Sequence, residues 1–332
     1  MTMRVLVIGA GAVGGWLAGA LSRGGAEVAV LARGATLLAL RERGLALSEG
    51  ERTERFDLPA SDRAEDLPKP DAVILAVKTH AFAEAVAWGA PALSGGVSEG
   101  LGGPLVVTAM NGLPWWFLHG LKGPLAGQRL ESVDPGGAAA ALLGGACPVG
   151  AVVHASVRAE APGEIRVAAV DRLILGQPDG AVSRETQELA ALAGAGGVNC
   201  VVTPDIRLEI WAKLWGNMNM NPVSALTRLT ANGIFGEPRL VELVREMMGE
   251  HVRVGERLGL RLPMTVDERL AVTRRLGDFR TSMLNDAEAG RALEVEGLLG
   301  VIVELAEKLG EPVPASRAVH ALARGLDGRQ QT

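Results

Sequence analysis

The chain has no tyrosine, and aromatic residues of all kinds make up 3% of its 332 residues. What aromatic surface it has comes from six tryptophans and five phenylalanines. Cysteine is nearly as scarce. Cys147 and Cys200 form no CxxC pair and no Cys/His cluster, which argues against a disulfide framework and against a structural zinc site. The five histidines show no HExxH-type spacing, so no metal is expected. There is no excess of basic charge either: the formal net charge is −5. Nothing in that balance suggests nucleic acid or an anionic membrane surface as a partner. An anionic ligand must be held by local positive groups. No run of about 20 uninterrupted apolar residues occurs, so no membrane span is expected. The opening MTMRVLVIGAGAVGGWLAGAL has a basic start at Arg4. Glycines interrupt its apolar stretch and no clean cleavage site follows, so a signal peptide is not expected and a cytoplasmic location is.

Hydrophobic residues reach 48% and charged residues 21%, ordinary proportions for a globular protein. The length suggests two domains, since single cores rarely grow past roughly 250–300 residues. Short apolar runs at Arg4–Ile8, Glu27–Leu31, Ala72–Val77 and Leu105–Ala109 read as buried parallel strands. Helical stretches separate them, near Leu37–Arg43 and Ala81–Trp88. Glu49–Asp66 reads as hairpins and loops, and Ser94–Pro104 as a flexible loop. The alternation predicts an α/β fold with a doubly wound, Rossmann-type sheet. Ala151–Val157, Glu164–Val170 and Arg172–Leu175 look like antiparallel additions, followed by a helix at Thr186–Ala195 and a strand at Val198–Val202. From Pro204 the chain reads as helical, broken at Asn221-Pro222, Asn232-Gly233, Pro263 and Pro312. The expected division is a dinucleotide-binding domain over 1–203 and an all-helical substrate and dimerisation domain over 204–332. The last residues, DGRQQT, are expected to fray. The apolar helical faces suit a homodimer.

Gly9-Ala10-Gly11-Ala12-Val13-Gly14 follows the first strand and opens a helix, the context a dinucleotide fingerprint requires. Gly9 permits the tight turn. Gly11 lets the backbone approach a pyrophosphate. Gly14 lets the helix pack on the sheet, and the free N–H groups at the helix start face the phosphates. A degenerate turn without ligand is the competing reading. The second strand ends in Ala32 and Arg33, where an NAD-preferring protein carries an acid. Arg33 can take a 2′-phosphate as a forked donor, so NADPH is expected over NADH, against the alternative of a solvated arginine.

Lys78 and Asn111 each end a strand at the carboxyl edge of the sheet, where ligands bind in such folds. Their plain readings are an exposed strand-end lysine and an Asn-Gly turn. In WAKLWGNMNMN, Lys213, Asn217 and Asn221 stand at i, i+4 and i+8 and form one polar stripe. Trp211, Leu214, Trp215, Met218 and Met220 surround it with apolar surface. A lysine so placed should have a depressed pKa, which suits a general acid near neutral pH. A buried amide network is the alternative. Farther on, Arg280–Leu284 reads as a helix end holding Ser282, and Asn285–Arg291 as a loop. Glu294 then starts a helix, where it could be simply a first-turn acid favoured by the helix dipole.

Together GAGAVG with VLAR, AVK at Lys78, MNG at Asn111, EIWAKLWGNMNMNPVSAL, and SML followed by LEVEG resemble the ketopantoate reductase (2-dehydropantoate 2-reductase) family over nearly the whole chain. The resemblance implies a proton-donating lysine at Lys213 and a glutamate near the reaction centre at Glu294. It implies substrate contacts at Asn217, Asn221, Ser282 and Asn111. Contacts to NADPH or NADP+ would fall on the Gly9–Gly14 loop, Arg33, Lys78 and Asn111. The implied activity is reduction of a 2-oxo acid to a 2-hydroxy acid, with ketopantoate the foremost substrate. Alternatives are a related oxidoreductase acting on another 2-oxo acid, ketone or imine, or a non-catalytic NADPH-binding sensor. The chain departs from the family at Leu293-Glu294-Val295-Glu296, where Thr-Glu-Ile-Asp is common, and at Leu299-Gly300, where Asn-Gly is. A family asparagine near Asn232 aligns only with a one-residue shift. Trp115-Trp116-Phe117 is unusually aromatic, either as a hydrophobic helix face or as a reshaped pocket.

Overall fold

The computed structural model describes residues 2–93, 103–144 and 146–330. The chain divides into two compact units, Met1–Met110 with Gly136–Arg207, and Asn111–Pro135 with Leu208–Thr332. The second unit therefore takes in 111–135, a stretch the sequence reading leaves with the sheet.

The first unit runs β1 (Arg4–Ile8), α1 (Ala12–Arg23), β2 (Glu27–Leu31), α2 (Gly34–Arg43), β3 (Leu45–Glu49), β4 (Arg52–Phe56), β5 (Ala60–Ser61), β6 (Ala72–Leu75), α3 (Phe82–Leu93), β7 (Leu105–Thr108), α4 (Ala138–Leu142), β8 (Cys147–Ala161), β9 (Glu164–Gly176), α5 (Arg184–Ala195) and β10 (Cys200–Val202). Its sheet has the order β4-β3-β9-β8-β7-β6-β1-β2-β5, with β10 on β9. The strands β2, β1, β6, β7 and β8 are parallel. They are Val/Ile/Leu-rich because both of their faces are covered. The additions are a long antiparallel β8–β9 hairpin and a β3–β4 hairpin, β3 lying parallel to β9. Two expected strands, Glu164–Val170 and Arg172–Leu175, are thus one strand, which meets β8 across register shifts. The helix α1 lies close on the sheet because it carries glycine where it crosses. A Cβ at position 15 would stand 2.7 Å from Ile165 Cγ1, and one at position 19 would stand 2.4 Å from Leu47 Cδ1. Of the loop expected at Ser94–Pro104, residues 94–102 lie outside the described residues.

The second unit is helical: α6 (Ile206–Thr227, which begins at the boundary), α7 (Ala231–Gly236), α8 (Pro238–Arg257), α9 (Val266–Arg275), α10 (Ser282–Glu288), α11 (Val301–Leu309) and α12 (Pro314–Gln330). The break expected at Asn221-Pro222 does not occur: α6 runs through Pro222. Met218, Met220, Val223 and Ala225 around it are buried, and packing on both sides outweighs the missing hydrogen bond. The chain turns instead at Arg228, whose φ is 63°. Asn232-Gly233 lies inside α7. The loop expected over 285–291 is mostly α10, started by a Thr281 cap that accepts from the Leu284 N–H. At the C-terminus α12 extends to Gln330. Asp327, expected to fray, instead accepts from the Leu293 N–H at 2.8 Å. Residues 331 and 332 lie outside the described residues.

Trp115, Trp116 and Phe117 sit in turns rather than on a helix face, and all three are buried. Phe117 stacks on Trp211 of α6 at 6.1 Å, and Trp211 stacks on His251 of α8 at 3.9 Å. This aromatic core accounts for the attachment of 111–135 to the helices. Burial pushes the His251 imidazole down to about 3, so it packs as a neutral ring.

Candidate active site

In the first unit, Ile8, Leu31, Leu75 and Thr108 are level across the sheet. The carboxyl ends of β1, β2, β6 and β7 therefore share one edge. At β1 the chain order reverses, with β2 on one side and β6 on the other, and crevices outside such a switch point are where open α/β sheets take ligands. Gly9 has φ +93°, and a Cβ there would stand 2.8 Å from the Ala76 carbonyl oxygen. A Cβ at Gly14 would stand 1.9 Å from the Gly9 carbonyl oxygen, so both positions are closed to side chains. Gly11 is different: nothing lies within 4 Å of its Cβ direction. It caps α1 without a side-chain hydrogen bond, and the first turn of α1 holds no acid. That leaves the helix start and its positive dipole end available to an anion. Ala10, Ala12 and Val13 complete the turn.

Arg33 precedes α2 on the same edge. Its guanidinium meets Glu84 at 2.5 Å and lies 5.2 Å from the centre of the Trp88 ring. Trp88 is fixed in turn by its indole N–H, which donates to the Asp62 carbonyl at 2.7 Å. Glu84 and Trp88 stand at i and i+4 on α3. Nothing in the sequence ties them to Arg33, because the contact depends on how α3 packs against β6 and the sheet. The pair with Glu84 is exposed on both sides, which makes it a weak, screened partner. Lys78 is half-buried just after β6, and its carbonyl accepts from the Ala81 N–H.

In the second unit, Lys213, Asn217 and Asn221 lie along α6. Lys213 and Asn217 are half-buried and Asn221 is buried. Trp211, Leu214, Trp215, Met218 and Met220 are all buried around them. Burial pushes the Lys213 ammonium down to about 8, and the Glu294 carboxylate opposes that shift. The depressed lysine expected from the sequence is thus present, and it has a carboxylate for company. Glu294 itself is buried. It precedes a π-helical turn, Glu296–Gly300, rather than an ordinary helix start.

Asn111 is brought to the Glu294 segment through its neighbour. Gly112 has φ +84°, and a Cβ there would stand 2.3 Å from the Gly297 carbonyl oxygen. Only glycine fits that approach, so the Asn-Gly pair is more than a generic turn. Ser282 is exposed in the first turn of α10. Asn219, which periodicity passes over, is fully buried on another face of α6. Its amide donates to the Trp215 carbonyl at 2.5 Å while its Oδ1 has no partner.

Among the described residues, no helix is long and apolar enough to cross a membrane. Two family models match the chain: ketopantoate reductase PanE/ApbA over residues 5–115, and its C-terminal counterpart over 205–327. A 2-dehydropantoate 2-reductase of Mesorhizobium japonicum is 41% identical over 325 residues, covering 98% of both chains. The crystal structure of a candidate ketopantoate reductase from Ralstonia solanacearum MolK2 superposes with a TM-score of 0.92 at 39% identity, covering 100% of this chain and 99% of that one. A dimeric ketopantoate reductase from Staphylococcus aureus shares the fold at 21% identity, with a TM-score of 0.74 over 99% and 100% of the two chains. A polar stripe around a depressed lysine, a glycine turn stripped for an anion, and relatives matched end to end agree: this chain belongs to the ketopantoate reductase PanE/ApbA family.

Proposed function

We propose that the protein is an NADPH-dependent 2-oxo acid reductase that converts 2-dehydropantoate to pantoate. The observation that carries the reading is Lys213: an ammonium lowered to about 8 by burial, with a carboxylate beside it, on the same helical stripe as two asparagines. The full-length likeness to the Mesorhizobium japonicum enzyme supports the substrate. NADPH, when bound, supplies the hydride. The Gly9–Gly14 turn is assigned its pyrophosphate, Arg33 its 2′-phosphate, and Lys78 and Asn111 further contacts. These residues fit the group, since the turn is open at Gly11 and carries no competing acid.

Lys213 then gives its proton to the oxygen of the substrate ketone as that oxygen becomes an alkoxide. The charge is met where it forms. Glu294 keeps Lys213 protonated more of the time than burial alone would allow. Asn217, Asn221 and Ser282 are assigned to the substrate carboxylate and hydroxyl groups, holding the reacting carbon in a near-attack position. The burial of Trp115, Trp116 and Phe117 makes core packing the better reading of that segment than pocket lining. The division of labour between 1–203 and 204–332 is kept for function, with Asn111 contributed from the stretch that joins the helices. A homodimer is part of the reading, supported by the dimeric relative, and sedimentation velocity tests it.

The decisive experiment follows NADPH oxidation against a panel of 2-oxo acids, with Lys213→Ala as control. Turnover should be highest with 2-dehydropantoate and lost in the variant. Preference for another oxo acid would move the substrate assignment. Activity that needs an added amine would select imine reduction, and tight NADPH binding with no turnover on any oxo acid would select the sensor reading.

A further inference from the structure

Glu294 stands between two tethers to α12. On one side the Leu293 N–H donates to Asp327 Oδ1 at 2.8 Å. On the other, the Glu296 carboxylate meets His320 Nε2 and Arg324 Nε, each at 3.1 Å. The hydrogen bond from His320 is the main reason the Glu296 carboxyl is held below its usual range. His320, Arg324 and Asp327 follow each other at i, i+4 and i+7, so they share one face of α12. Val319 and Ala323 anchor the helix elsewhere by burial.

The backbone that follows Glu294 is unusual. Glu296–Gly300 is π-helical, and the Leu298 N–H donates to the Glu294 carbonyl at 3.2 Å. Such turns are rare and concentrate at functional sites. This one is shaped around the network. A Cβ at Gly300 would stand 2.2 Å from Glu296 Oε2 and 3.0 Å from His320 Nε2. Exposed ion pairs add little stability. Three polar residues of one helix nevertheless converge within two residues of one buried carboxylate, at Leu293 and Glu296.

We propose that α12 is a positioning element for the reaction: Asp327, His320 and Arg324 fix the backbone on both sides of Glu294 and so set where its carboxylate lies relative to Lys213. This rests on the reading of Lys213 as proton donor with Glu294 as its companion. The α12 residues act through Glu294 and need no contact with substrate.

The test is the pH profile of kcat, recorded beside the Tm of each variant. Glu294→Gln removes the charge that holds Lys213 protonated, so it should move the alkaline limb to lower pH. Asp327→Ala should move the limb the same way by a smaller amount and lower kcat by up to about tenfold, the scale expected of a small misplacement. Asp327→Asn keeps an oxygen for the Leu293 N–H and should restore both. A paired His320→Ala and Arg324→Ala variant, altering a half-buried and an exposed side chain, should shift the limb least and carries the test if Asp327→Ala does not fold. A limb that stays in place in the α12 variants while Glu294→Gln moves it, with Tm alone falling, would reduce α12 to a structural clamp and overturn the inference. If Glu294→Gln itself leaves the limb unmoved, the Lys213–Glu294 reading fails and takes this one with it.

Discussion

At the end of β1, what a ligand meets is mostly main chain: the N–H groups that open α1, with one exposed arginine beside them. On α6 it meets side chains, an ammonium and two amides fixed among tryptophans and methionines. The turn in the first arrangement is contiguous in sequence, and the arginine beside it is exposed. The second, as proposed, draws on four separated segments, around Asn111, Lys213–Asn221, Ser282 and Glu294, and the lowered pKa of Lys213 comes from burial. Substitutions should therefore separate cofactor affinity from turnover.

The sharpest separation is expected from Lys213→Ala. Loss of a general acid should lower kcat by about 10²–10⁴-fold, while NADPH affinity by titration calorimetry stays at the wild-type value. A parallel loss of affinity would mean that the two regions are not independent. With the protonated lysine as the proposed donor, activity should be level below its pKa of about 8 and fall by about one decade per pH unit above it. A profile flat to pH 10 would remove Lys213 from its role.

Gly11→Ala probes the other side. The added methyl meets nothing within 4 Å in the protein, so Tm should hold. The NADPH Kd should rise by about tenfold, a cost of about 1.4 kcal/mol, if the methyl intrudes where the pyrophosphate is proposed to approach. Arg33→Ala should narrow the ratio of NADPH to NADH affinity by about tenfold, the scale of one charged hydrogen bond. An unchanged ratio would return Arg33 to a solvated surface residue. Glu84→Gln is the mildest: releasing Arg33 from an exposed pair should tighten NADPH binding by at most about two- to fivefold.

The same contrast explains what could be read from the sequence. The Gly9–Gly14 turn is local: strand, glycines and helix follow one another, and the structure has them in that order. The α6 stripe was equally legible because helical spacing alone aligns Lys213, Asn217 and Asn221. Pro222 misled, since the cost of proline in a helix is a local rule and the burial around it is not. The attachment of 111–135 to the helices was hidden because it depends on Phe117 reaching Trp211, and residue order carries no record of that stack. Glu84 beneath Arg33, Gly297 against Gly112, and α12 around Glu294 were invisible for the same reason. Each pairs residues distant in sequence whose types are individually unremarkable on a protein surface.

Trp88 has one further consequence, and it is optical. A chain without tyrosine emits ultraviolet fluorescence from its tryptophans with no tyrosine contribution to subtract. Four of these, Trp115, Trp116, Trp211 and Trp215, are buried in the second unit, and Trp16 is a buried residue of α1. Trp88 alone among the six lies against the Arg33 guanidinium, which is proposed to take the 2′-phosphate. A difference spectrum between the wild type and Trp88→Phe should therefore isolate a reporter for that end of the cofactor, sensitive to NADP+ and much less so to NAD+.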